Sequence, residues 1–185
     1  MYFVMEHDRE TSFMTAFKDD NPGHDLKWAM GRPIEPDEQP SGLKLIVDEP
    51  RDEYPDFFTD LPAAFCSQRL RERLEAAGVD SIDYYPIEMV ERDSGRRIDG
   101  YFAINVLGRI ACMDRQRSKF TEWRKRIIRI QSLALDESAI QGMKVFRPHE
   151  YLAVILVDGD VTESIRGLPG VDVRPAEGWG DCHRF

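Results

Sequence analysis

Residues 82–106 carry the pattern that most restricts how this chain folds. Ile82 to Glu91 is rich in β-branched and aromatic residues, and Ser94-Gly95 supplies a turn. Ile98, Gly100, Phe102, Ile104 and Val106 then alternate with Asp99, Tyr101, Ala103 and Asn105. Successive side chains on a strand point to opposite faces, so two such runs about a glycine-containing turn predict an antiparallel hairpin. A hairpin alone is marginal in water and must pack on something else. The segment just before it offers a helix: Ser67-Gln-Arg-Leu-Arg-Glu-Arg-Leu-Glu-Ala-Ala-Gly78. Ser67 can cap it, Leu70, Leu74 and Ala77 share one face, and Gly78 suits the left-handed residue past its end.

Further strands are predicted at Tyr2–Met5, Leu43–Val47, Met143–Phe146 and Tyr151–Val157, the last apolar enough to be buried on both faces. Ile110 and Cys112 either continue the hairpin strand or begin another. Arg115 to Arg126 reads as a basic helix with Phe120 and Trp123 three apart, and Ile128 to Leu135 as a strand. Asp160-Val-Thr-Glu163 starts a short helix with an acidic cap, ended by Gly167 and Pro169. Val171–Val173 is a last edge strand, and the tail from Ala176 is expected to be peripheral. Hairpins mixed with helices, without βαβ regularity, predict an α+β fold: an antiparallel sheet with hairpin 82–106 and a few packed helices.

At 185 residues the chain suits one domain, or one with an appendage. Its net charge of −9 is unevenly placed. Residues 1–60 hold 15 Asp and Glu against 6 Lys and Arg, together with six of the eleven prolines, and residues 61–185 balance to zero. Residues 92–129 are locally basic, 11 against 4. The expected organisation is an acidic, proline-rich region at 1–60, part of the domain or wrapped on it, and an α+β domain at 61–185. An acidic chain is a poor direct ligand for nucleic acid, which needs cations where it is touched. No apolar run approaches the 18 residues of a membrane span, and the start lacks the basic n-region of a signal peptide. Three cysteines, few and odd in number, suit a reducing cytoplasm.

Chemistry is hard to find. The chain has no phosphate-binding glycine loop, no His-Glu-x-x-His, no paired Cys-x-x-Cys and no Gly-x-Ser-x-Gly. Asp181-Cys182-His183 places three potential ligands side by side, but without a distant second pair it reads as a tail rather than a metal site. Cys66 and Cys112 sit in apolar runs and are expected to be buried free thiols. Trp28, Trp123 and Trp179 are too dispersed to form a cage and read as packing residues. Neither a metal nor a cofactor is expected.

Soft motifs in a fixed order carry one resemblance. Ser67…Leu70…Leu74, Tyr84-Tyr85-Pro86, Tyr101…Asn105, Asp114…Ser118, Leu133/Leu135, Phe146-Arg147, the run Tyr151–Val157 with its short helix, and Gly170 follow one another across about residues 56–175. The series resembles a bacterial immunity-protein family found beside polymorphic toxins, of the myxobacterial type and formerly a domain of unknown function. The resemblance implies a cytoplasmic, non-catalytic protein that binds and blocks a cognate protein toxin. It implies no catalytic residues, and it leaves the toxin and the oligomeric state open. Ser67, Tyr85, Pro86, Asn105, Asp114 and Ser118 are expected to be structural, the polar ones fixing turns around the sheet.

For toxin contact the candidates are Asp19, Asp20, Asp25, Glu35, Asp37 and Glu38, acids in an irregular stretch, with Trp28 and Met30 as an apolar anchor. The rival readings are a small hydrolase or transferase whose polar residues converge only in space, and a regulatory or structural module of a secretion or phage-like assembly. A pocket joining Cys66 or Asp114 to a histidine would favour the enzyme.

Overall fold

A computed structural model describes residues 1–13, 15–16, 28–60 and 63–181. In chain order the strands are β1 (Tyr2–His7), β2 (Thr15–Ala16), β3 (Leu43–Val47), β4 (Phe57–Asp60) and β5 (Ala63–Ser67). Helix α1 (Gln68–Ala76) follows, then β6 (Ile82–Glu91), β7 (Arg97–Val106), β8 (Arg109–Ile110), β9 (Lys119–Trp123) and β10 (Arg126–Ser132). The chain continues with β11 (Val145–Pro148), β12 (Ile155–Asp158), α2 (Gly159–Ile165) and β13 (Val171–Pro175). Strands dominate and both helices are short, an α+β fold.

Two sheets stack with three layers of apolar side chains. The six-stranded sheet runs β2-β3-β6-β7-β5-β4 and the five-stranded one β13-β1-β12-β11-β8. Between them lies a layer built from alternate residues of each: Ile82, Ile104, Val106, Phe57 and Cys66 from one sheet, Met5, Val145, Ile155 and Val157 from the other. Helices α1 and α2 touch one another and add Leu70, Leu74, Val161 and Ile165 to this layer. The opposite face of the six-stranded sheet (Leu43, Leu45, Val47, Phe65, Tyr85, Ile87, Met89, Tyr101, Ala103) is covered by Trp28, Ile34 and Tyr54. The opposite face of the five-stranded sheet (Val4, Phe146, Leu156) is covered by residues 112–140, Val154, Ala176 and Trp179.

The predicted hairpin is β6–β7, antiparallel from Ile82↔Val106 to Val90↔Arg97. Helix α1 begins as predicted: Ser67 Oγ accepts the Leu70 N–H at 3.1 Å, and Gly78 has φ +74°. Burying Leu70 and Leu74 stabilises the fold by about 1.5–3 kcal/mol each.

Several expectations are corrected. The sheets are mixed rather than antiparallel throughout, since β3 pairs parallel to β6 and β11 parallel to β8. The alternation left the second face of β7 unassigned; it carries Tyr101, Ala103 and Asn105 and is buried, under the layer of Trp28, Ile34 and Tyr54. Residues 115–126 form no helix; β9 and β10 make a separate hairpin with Phe120 opposite Ile130, both packed on the third apolar layer. The strand predicted at Tyr151–Val157 is extended only from Ile155, because Tyr151 and Val154 turn back on the carbonyls of Pro148 and Tyr151. Asp158, not Asp160, caps α2. Residues 176–181, expected to be peripheral, are integral. Trp179 Nε1–H donates to Glu6 at 2.8 Å, and the buried Asp181 accepts the Ile130 N–H and the Tyr151 hydroxyl.

Candidate interaction surfaces

The acidic stretch divides in two. Asp19, Asp20 and Asp25 lie outside the described residues, as do Cys182 and His183. Glu35, Asp37 and Glu38 are exposed on a turn closed by the Glu38 N–H on the Glu35 carbonyl at 2.9 Å. The apolar anchor proposed between these acids is a core residue: Trp28 is 1% exposed and meets Tyr85 edge to face at 5.5 Å. Met30 is half-buried. Sequence spacing placed Trp28 among charges and prolines, but the bare face of β6 draws it inward. Asn105, fully buried, donates from Nδ2 to the Arg32 carbonyl at 2.9 Å and pins this covering segment to the sheet.

The other motif residues take these places. Ser67 caps α1 and gives its own hydroxyl hydrogen to Asp56, a buried carboxylate that also holds Arg69. Tyr85 lies in the core and Pro86 is exposed within β6. Asp114 Oδ1 accepts the N–H groups of Gln116 and Arg117 at 2.9 and 3.1 Å, and Oδ2 accepts Arg117 Nε–H at 2.7 Å, which lowers the carboxyl below its ordinary range. Ser118 exchanges hydrogen bonds with the Ala134 backbone. These side chains close turns and tie loops to the sheet.

The β9–β10 hairpin is the feature that sequence reasoning missed. Trp123 is 57% and Ile128 55% exposed, and apart from Met1 they are the exposed large apolar side chains among the described residues. They sit among Lys119, Arg124, Lys125, Arg126 and Arg129, with Glu122 the acid on these strands. The Arg124 guanidinium lies 4.2 Å from the Trp123 ring centroid, a cation–π contact. The turn itself is strained: Arg124 and Lys125 both have positive φ, 48° and 64°, a conformation that usually selects glycine or asparagine. The local excess of base in residues 92–129 was the available signal, but reading the segment as a helix hid the exposed face.

Between the two sheets, on the side of β4, β5 and β1, lies a cavity of about 620 Å³ lined by Met5, His7, Trp28, Phe57, Ala64, Arg147 and Ile155 among others. It contains neither Cys66 nor Asp114, the groups an enzyme reading would need beside a histidine. Burial pushes the Cys66 thiol well up and the Cys112 thiol up to about 12, so both stay protonated and unreactive at neutral pH. Among the described residues no three His, Cys, Asp or Glu side chains are placed to hold one metal ion. Among the described residues no helix is long and apolar enough to cross a membrane.

The family model described as immunity protein family (Imm11) matches residues 6–178. No curated protein matches the chain.

Proposed function

We infer the function from one premise: this chain belongs to the Imm11 immunity protein family. It is therefore a non-catalytic immunity protein of a polymorphic toxin system, and it neutralises a cognate toxin. We place its action in the cytoplasm, where a toxin arriving from a neighbouring cell must be stopped.

Binding is proposed to use the charged surface. Glu35, Asp37 and Glu38 stand exposed, and with Asp19, Asp20 and Asp25 they are the groups assigned to steer a basic toxin surface. Charge of this kind accelerates encounter more than it deepens affinity. The apolar anchor, vacated by the buried Trp28, falls to Trp123 with Arg124 and Ile128 beside it. Exposed tryptophan and arginine in one patch is the composition of an interface hot spot. That exposed hairpin is the observation carrying the choice of face.

The test is co-expression of the chain with the toxins encoded beside it. Protection against one of them supports the antidote role, and protection against none refutes it. With the toxin identified, Trp123→Ser should weaken binding roughly 30-fold, the effect of a hot spot of about 2 kcal/mol, without lowering the melting temperature. Reversing Glu35, Asp37 and Glu38 to Lys should slow association and flatten its salt dependence. An unchanged dissociation constant for Trp123→Ser removes the hairpin from the interface and leaves the antidote role standing.

A further inference from the structure

The cavity between the sheets holds a buried guanidinium that no carboxylate among the described residues contacts. Along β11, Val145 faces the layer between the sheets and Phe146 faces the opposite one, so alternation directs Arg147 into the space between the sheets. Arg147 is 5% exposed and lines the cavity. Its Nη1–H donates to the Leu152 carbonyl at 2.6 Å, while its Nε–H is buried without a partner. No carboxylate among the described residues pairs with it, and burial lowers its pKa to about 10. His7 lies on the same cavity wall, and its Nε2 is likewise buried without a partner.

The rest of the lining sharpens the chemistry. Met5, Phe57, Ala64 and Ile155, all buried, give the cavity an apolar wall. Acids also line the cavity, but none pairs with Arg147: Glu6 accepts from Trp179, Asp172 holds Arg174 at 2.6 Å, Asp8 caps the short turn at Arg9, and Glu10 is exposed. The uncompensated positive charge therefore sits at the buried end. A lone guanidinium in an apolar interior is strongly unfavourable unless an anion meets it, and its planar fork matches the oxygens of a carboxylate or phosphate. A space of about 620 Å³ falls within the ordinary range for small-molecule sites.

We propose that this cavity is a binding site for a small organic anion, whose carboxylate or phosphate head is held by Arg147 and His7 and whose apolar body lies against Met5, Phe57, Ala64 and Ile155. The cavity shares no lining residue with Glu35, Asp37, Glu38, Trp123 or Ile128, so the proposal stands or falls without the toxin-binding reading. Its occupant would stabilise the seam between the sheets, since β1 and β11 on one side and β4 and β5 on the other all line it.

The experiment is calorimetric titration and thermal melting of the full chain with inorganic phosphate, with hexanoate and with phenyl phosphate, against chloride at matched ionic strength. The expected result is saturable binding and a rise in melting temperature with the organic anions, weaker with inorganic phosphate, and none with chloride. Tight binding of phenyl phosphate over hexanoate assigns a phosphoryl head, and the reverse a carboxylate. Arg147→Met should cut affinity at least tenfold, and Arg147→Lys should recover part of it. Should Arg147→Met not fold, Ala64→Leu fills the cavity from the opposite sheet without touching the cation and should abolish binding. Absence of saturable binding by every probe up to about 10 mM, ten times a millimolar Kd, overturns the proposal. So does binding that survives both Arg147→Met and Ala64→Leu.

Discussion

Asp56 gives the sharpest test of how the structure is held. It is 2% exposed, yet ionic contacts surround it. Arg69 Nε–H reaches both carboxylate oxygens at 3.0 Å and Nη2–H reaches Oδ2 at 2.7 Å, while the Ser67 hydroxyl donates to Oδ1. The backbone adds two links, Ser67 N–H to the Asp56 carbonyl at 2.8 Å and Asp56 N–H to the Pro169 carbonyl at 2.6 Å. One residue thus joins β4, the start of α1 and the loop before β13. In Asp56→Ala the backbone links survive but the charge-assisted bonds go, each worth about 1.5–3 kcal/mol net. The Arg69 side chain is 50% exposed and regains water, which offsets part of that loss. The expected cost is about 2–4 kcal/mol. For a chain of this length that lowers the melting temperature by roughly 5–15 °C. Arg69→Met should cost at least as much, because it strands a buried carboxylate that water cannot reach. The double variant should therefore be less damaged than the sum, with a coupling of about 1–3 kcal/mol in urea denaturation. An Asp56→Ala protein melting within a degree of the parent, or strict additivity in the cycle, would refute this account.

Leu74→Ala should cost about 2–5 kcal/mol by urea denaturation, because the side chain is fully buried between α1 and the sheets; an unchanged midpoint would take that face out of the core. Glu91 is held down to about 2 by Arg96, Ser94 and Tyr54, against an unfolded carboxyl near about 4.3. A carboxyl lowered in the folded state adds stability above its unfolded pKa and loses it as pH falls towards its folded one, so Glu91→Gln should flatten the acid limb of the stability curve between roughly pH 4 and 2. If the parent and Glu91→Gln curves stay parallel there, the Glu91 assignment fails. Cys66 and Cys112 should resist a thiol reagent in the native protein and react once it is unfolded; prompt native labelling of either would contradict their burial.

What the sequence determined by itself was local. Ser67, the spacing of Leu70 and Leu74, and Gly78 set α1 within a turn, because capping and the helical repeat act over three or four residues. The period-two runs about Ser94-Gly95 set the β6–β7 hairpin for the same reason. The apolar settings of Cys66 and Cys112 predicted their burial, and the order of soft motifs pointed to the family. The tertiary structure decided everything that depended on what lies opposite. Trp28 and Trp123 each stand near charged residues in the chain, yet one fills the bare face of β6 and the other finds no sheet to pack on. The same contest put residues 119–123, read in the sequence as part of a basic helix over 115–126, into strand β9, where Phe120 meets the core as the cross-strand partner of Ile130. Asp56 and Arg69, 13 residues apart, and Arg147 and His7, which line one cavity from β11 and β1, come into place only by long-range packing. Burial is a property of the partner surface as much as of the residue, and no window of a few residues contains the partner.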